Sequence, residues 1–214
     1  DPQRDLEPVS LAAKISYMLV THPSVPAANL KHLIALAKGR PGQLNFSSAG
    51  TGGSSHLAGE LFKSMAKIDI VHVPFRGTAL FATALIAGEV DLAFAGVNTV
   101  LPHTTSGRLK ALANTGPKRS EIYPNVPTMI EAGLAGYEFT QWYALLAPPK
   151  TPPDVIVVLN DALRKSLEDP EVKKRIASEG GTTTPTSPQG LASFIKSETA
   201  SFEKIIKTAG IKLE

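Results

Sequence analysis

The chain has 214 residues, 43% of them hydrophobic and 19% charged, and its 22 basic and 19 acidic side chains give a formal net charge of +3. That length holds one large domain or two small lobes with a core each. The basic residues are scattered, which excludes a nucleic-acid-binding stripe, no apolar run reaches the roughly 20 residues of a spanning helix, and the absence of Cys excludes thiolate chemistry, disulfides and Cys-containing zinc sites.

The first residues, Asp1 to Glu7, are charged and carry no apolar signal-peptide core, so an export signal is expected to have been removed or to lie outside this sequence. Val9 to Val20 reads as a long buried strand that ends at His22-Pro23 and Pro26. Asn29 is the expected N-cap of a helix with Leu30, Leu33, Ile34 and Ala37 on one face and Gly39 as its stop. A strand over Gln43 to Ser47 and the Gly/Ser-rich loop Ser48 to Ser55 lead into a helix carrying Leu57, Leu61 and Met65, followed by a β-rich stretch from Ile68 to Phe75. Such a unit places its two strands parallel through a right-handed crossover.

A second unit comprises a helix from Thr78 to Ala87 stopped by Gly88, a strand Val90 to Ala95, a turn-rich stretch through Gly107 and a strand Leu109 to Thr115. Prolines then crowd residues 116–153, with β-like pieces at Tyr137 to Phe139 and Trp142 to Ala147, which suits a connection between lobes. The remainder is helical. One helix opens at Pro153-Asp154 with Val155, Val158, Leu159, Ala162 and Leu163 on one face, and a second opens at Pro170. A long last helix from Ser187-Pro188 carries Leu191, Phe194, Ile195, Phe202, Ile205 and Ile206 at helical spacing. The alternation of strand and helix along the chain is that of an α/β fold.

The loop Ser48-Ala49-Gly50-Thr51-Gly52-Gly53-Ser54-Ser55-His56 is the most informative local feature. Its glycines let backbone approach a ligand, the helix that follows presents free N–H groups, and Thr51, Ser54 and Ser55 add hydroxyl donors suited to a carboxylate. A tight strand-to-helix turn capped by Ser54 or Ser55 explains the same residues. Nucleotide motifs fail: the G-x-G-x-x-G match begun at Gly50 and Gly52 reaches Ser55 in place of glycine, and no P-loop or G-x-S-x-G elbow is present. The five histidines, His22, His32, His56, His72 and His103, are too dispersed for a metal motif, so no metal or cofactor is expected. Phe75-Arg76-Gly77 and Gly96-Val97-Asn98-Thr99 each follow a strand, where α/β sheets place binding groups, and Trp142 brings an indole donor.

In combination and order, several stretches resemble the Bug-type solute receptors of tripartite tricarboxylate transporters. They are Pro41-Gly42-Gln43-Leu44-Asn45-Phe46, the Gly/Ser loop with His56-Leu57-Ala58-Gly59-Glu60-Leu61-Phe62, Val71-His72-Val73-Pro74-Phe75-Arg76-Gly77, Gly107-Arg108-Leu109-Lys110-Ala111-Leu112-Ala113 and Leu145-Leu146-Ala147-Pro148. The resemblance implies an α/β, two-lobed periplasmic-binding-protein type II-like fold. Residues 14–115 would form the second lobe, with residues 1–13 and 116–214 as connections and the remainder of a first lobe left incomplete. It implies a non-enzymatic periplasmic receptor that delivers a small carboxylate to membrane components of such a transporter. Ser48, Ala49, Gly50, Thr51, Gly52, Ser54, Ser55, Phe75, Arg76, Gly77, Gly96, Asn98 and Trp142 are the expected ligand-binding residues. Two other readings stand beside it: an enzyme of phosphate or acyl chemistry using the same loop, and a ligand-dependent partner of a membrane signalling protein. An incomplete first lobe would leave Val155, Leu159, Phe194, Ile195 and Phe202 short of partners, so either self-association through that surface or a different packing of the C-terminal helices is expected.

Overall fold

A computed structural model describes residues 2–211, with side chains from Arg4 onward. Asp1 and residues 212–214, assigned above to the first lobe, lie outside the described residues. In chain order the elements are α1 (Pro2–Asp5), β1 (Glu7–Thr21), α2 (Leu30–Gly39), β2 (Asn45–Ser48), α3 (Ser54–Ala66), β3 (Val71–Pro74), α4 (Thr78–Ala87) and β4 (Leu92–Gly96). They continue with α5 (Val97–Thr105), β5 (Lys110–Asn114), β6 (Thr140–Ala147), α6 (Pro153–Glu168), α7 (Pro170–Ser178), β7 (Gly181–Thr183) and α8 (Pro188–Ala209). The chain forms two compact units, one of Asp1–Ile15 with Gln141–Lys204 and one of Ser16–Thr140 with Ile205–Glu214.

The second of these, the loop-bearing unit, is built on strands in the order β3-β2-β4-β1-β5. β2 runs parallel to β3 and β4, with Ser47 opposite Val73 and Ala93, while the end of β1 pairs antiparallel with β4 and β5. A reciprocal clasp fixes the β2 register: Asn45 N–H donates to Asp91 Oδ2 at 2.8 Å and Asp91 N–H to Asn45 Oδ1 at 3.1 Å. Alternation sorts the side chains onto two faces. Phe46 and Phe94 face α3, where Phe62 meets Phe94 edge-on at 5.8 Å. Gly59 of α3 sits so close to Phe46 that an added Cβ would lie 2.1 Å from its Cε2. On the other face Met18, Val20, Ala93 and Ala95 pack with Phe81 and Leu85 of α4 and Val97 and Val100 of α5. Each such large apolar side chain contributes about 1.5–3 kcal/mol by leaving water.

Residues 116–140, part of the stretch read as a connection between lobes, lie in this unit. Tyr137 to Phe139 is no strand. Tyr137 is instead a fully buried anchor, stacked 6.4 Å from Phe94, whose hydroxyl donates to the Ala58 carbonyl at 2.8 Å. The stretch after β4, expected to be turn-rich, is the helix α5. Its Asn, Thr and Pro102 are poor helix formers, and the burial of Val97 and Val100 overrides that propensity. α4 with Gly88 in the left-handed region at its end, and α2 with Asn29 accepting from His32 N–H, are as the sequence indicates.

In the other unit, the helical unit, the first part of β1 pairs with β6 and with β7, a three-residue strand the sequence reading missed. Asp169 caps α7 through Glu171 and Val172 N–H. Buried Asn160 of α6 donates to the carbonyls of Val9 and Thr186, both at 2.8 Å. Of the α6 residues expected to be short of partners, Val155 is exposed and Leu159 half-buried; Val158 is exposed as well, and Asn160 and Leu167 are the buried residues of this helix. Phe194 does have partners, Trp142 edge-on at 5.4 Å and the Lys14 ammonium 4.4 Å above its ring.

Candidate functional site

The parallel register brings the carboxyl ends of β3, β2 and β4 to one edge of the loop-bearing unit. From each of those ends the chain turns directly into a helix, so α3, α4 and α5 all start there. Their N-cap residues are Gly53, Gly77 and Gly96, and at none of the three does a cap side chain bond to the helix start. The alternative reading, a turn capped by Ser54 or Ser55, is not met in that form, since the N-cap of α3 is Gly53. The first turn of an α-helix leaves its N–H groups without intrahelical partners and carries a partial positive charge. Three such starts on one sheet edge make a cradle for a small anion.

Glycine is required at this edge by conformation. Gly50, Gly52 and Gly77 have φ of 143°, 77° and 110°, which a β-branched residue does not adopt without strain. Two backbone bonds tie the loop to the next strand, Phe75 N–H to the Ser48 carbonyl at 2.9 Å and Gly77 N–H to the Ala49 carbonyl at 3.2 Å. The Ser55 hydroxyl accepts from Ala49 N–H at 3.1 Å, closing the loop on itself.

The sequence-derived residues thus divide by role. Gly50, Thr51, Gly52, Ser54, Arg76, Gly77, Gly96 and Asn98 retain exposure along the edge, with Thr51, Arg76 and Asn98 the most open. Ser48 is fully buried and holds the loop from inside, accepting from Gly50 N–H at 3.2 Å. Ala49 and the Phe75 side chain pack against the apolar cluster under α4. Trp142 lies on β6 of the helical unit.

A set of residues that the sequence reading set aside stands directly behind the loop. His56 and His72 stack face to face, with ring centroids 3.6 Å apart and planes 11° from parallel, beside Phe46. Gly52 N–H donates to His56 Nδ1 at 3.0 Å, and His72 Nε2 lies 2.6 Å from Ser48 Oγ. Glu60 Oε1 lies 3.7 Å from His56 Nε2 and accepts from Lys63 at 2.9 Å. Burial alone would raise the Glu60 pKa, but the nearby His56 imidazole and the hydrogen bond and charge of Lys63 bring it below the ordinary range. Burial, and secondly the neighbouring His56, push the His72 pKa down to about 4, so its ring is neutral. The signal was in the register: with Phe46 opposite His72 in a parallel pair, His72 shares the face that α3 covers.

A concavity of about 520 Å³ elsewhere in the same unit, lined by Leu101, Thr104, Lys110, Ile122 and Tyr123, lacks this chemistry. Its Lys110 ammonium already donates to the carbonyls of Pro23 and Val25, and its Tyr123 hydroxyl is paired with Thr104 at 2.6 Å. Among the described residues no group of three or more His, Asp or Glu side chains is placed to hold a metal ion, and no helix is long and apolar enough to cross a membrane.

Comparison with known proteins agrees with the architecture. A family model described as tripartite tricarboxylate transporter family receptor matches residues 1–211. A protein from the tcbD-tcbE intergenic region of Pseudomonas sp. strain P51 is 36% identical over 204 residues, covering 95% of this chain and 61% of the relative. The solved structure of R. palustris Rpa4515 with adipate aligns with a TM-score of 0.88 at 32% identity, over 99% of this chain and 71% of that one. MatC from Rhodopseudomonas palustris with bound malate aligns with a TM-score of 0.83 at 28% identity, over 96% of this chain and 71% of that one. The chain spans about three-fifths of the length of most of the curated relatives it matches. On the match of nearly its whole length to the family model, this α/β chain belongs to the tripartite tricarboxylate transporter receptor family.

Proposed function

We propose that the chain binds a small carboxylate, a di- or tricarboxylate or an aromatic acid, as part of a periplasmic receptor that delivers it to the membrane components of a tripartite tricarboxylate transporter. The observation that carries this reading is the convergence of three helix starts without side-chain caps on the edge formed by β3, β2 and β4. Backbone N–H groups of a fixed loop bond a carboxylate with little reorganisation, and such charge-assisted bonds are the strong ones. Arg76, exposed at the same edge, adds a cation. The solved relatives that hold adipate and malate support the class of ligand.

Binding without turnover fits the site better than catalysis does. Ser48 and His72 have the spacing of a nucleophile and its base, 2.6 Å, but Ser48 has no exposed surface from which to attack a substrate. Calorimetric titration with dicarboxylates of graded length, adipate and malate among them, tests the proposal, with the ligand recovered and analysed afterwards. Saturable heat and unchanged ligand are expected. Gly52→Val should abolish the heat while the chain stays folded, and Thr51→Ala should weaken it by about threefold to tenfold through loss of one donor. Conversion of the ligand, or a Gly52→Val variant that binds like the parent, contradicts the reading.

A further inference from the structure

Behind the loop, the imidazole of His56 is only 4% exposed, and its bonding fixes its tautomer. Because Nδ1 accepts the Gly52 N–H at 3.0 Å, that nitrogen carries no proton, and the ring's single N–H is on Nε2, toward Glu60. The ring is clamped between its own helix and β3 by the 3.6 Å stack on His72, and His72 is anchored in turn to Ser48. The loop residues that the two rings hold, Ser48 and Gly52, flank Gly50, whose N–H bonds to Ser48 Oγ. The aromatic pair therefore reaches two of the bonds that set the direction of the Gly50 and Gly52 amides, Gly50 N–H to Ser48 Oγ through His72 and Gly52 N–H to His56 directly.

We propose that His56, stacked on His72, is a positioning residue for the carboxylate loop, fixing the Gly52 amide only while its own ring is neutral. The inference rests on the loop being the carboxylate site. Protonation at Nδ1 replaces the acceptor with a second donor facing the Gly52 N–H, so that bond breaks and the loop loses its anchor. The charged groups facing the pair are Glu60 and Lys63, both on α3, and they are already paired with each other at 2.9 Å. The sign of the effect is diagnostic. A cation placed near an anion site would ordinarily strengthen anion binding, whereas a loop held by a neutral acceptor weakens its grip when that acceptor is protonated.

The experiment compares the parent with His56→Phe, His56→Asn and His72→Gln, all checked for folding. Asn places its Oδ1 near the position of the imidazole Nδ1 and cannot be protonated in this range; Gln does the same for Nε2 of His72. Adipate is the probe, titrated calorimetrically at neutral pH, and the histidine ring nitrogens and the Gly50 and Gly52 amides are followed by NMR from neutral to acid pH. His56→Phe should bind adipate about tenfold more weakly, the worth of one lost fixing bond, and His56→Asn should restore affinity. In the parent the Gly52 amide should shift in step with the ring nitrogens, and in His56→Asn that shift should vanish. A His56→Phe variant that binds adipate like the parent overturns the inference, as does a Gly52 amide that ignores the histidine titration. If the parent binds no carboxylate, the proposed function fails, and the NMR arm alone still decides whether His56 holds the loop.

Discussion

The two units bury their apolar residues to different degrees. In the loop-bearing unit Phe46, Phe62, Phe81, Phe94 and Tyr137 are all buried to 2% exposure or less, and α3 is buried on most sides. In the helical unit α6 buries only Asn160 and Leu167, and Val155, Val157 and Val158 stand 41%, 57% and 67% exposed. Tyr143 and Leu145 on β6 are exposed as well. The same amphipathic patterning therefore produces a tight core in one unit and an uncovered stripe in the other. An apolar stripe on a helix specifies what the helix can bury, and the partner decides whether it does.

The largest expected effect lies in the tight core. Gly59→Leu places a branched side chain where even a Cβ meets the Phe46 ring at 2.1 Å, and Phe46 has no exposed surface into which to retreat. A loss above about 4 kcal/mol, from overpacking in a site without room, is expected in urea unfolding. A Gly59→Leu chain of parental stability would show that this core is as loose as the α6 face.

Acid comes next. His72 titrates at about 4 in the folded chain against an ordinary value of 6.5, so as pH falls the unfolded chain takes up its proton first. Stability is thus full above about 6.5 and is lost progressively towards 4, by at most about 3 kcal/mol and less to the extent that the ring meets water. Urea midpoints measured across that window should fall in the parent and stay flatter in His72→Gln. Equal slopes would remove the histidine stack as the cause.

The smallest expected effect belongs to the exposed stripe. Val157→Ser and Val158→Ser should change stability by no more than about 0.5 kcal/mol. We expect them to act on association instead, lowering any concentration-dependent mass seen by light scattering. Substitutions there that destabilise as strongly as core changes would mean that the stripe is covered in solution.

How far these features were legible in the sequence follows from the same physics. Helices with capping residues of their own, Asn29 for α2 and Pro170 behind Asp169 for α7, and the Gly88 stop of α4 can be read directly, because each signal is local. The edge proposed to bind the carboxylate was legible as pieces, since Gly50 to Ser55 and Gly77 follow strands and Gly96 ends one. α5 was not: its polar residues and Pro102 favour a turn, and only burial of Val97 and Val100 makes it helical. The His56–His72 stack was also hidden, because it depends on the β2–β3 register and on which face α3 covers, neither of which the spacing of two histidines reveals.

The most direct test of carboxylate capture at the strand edge is a map of backbone amide shifts in the labelled chain on titration with adipate. Saturating shifts confined to Gly50–Ser55, Gly77–Leu80 and Gly96–Thr99, the three helix starts, are the expected result. Saturating shifts that leave those amides unmoved and cluster around Thr104, Lys110 and Tyr123 would contradict it.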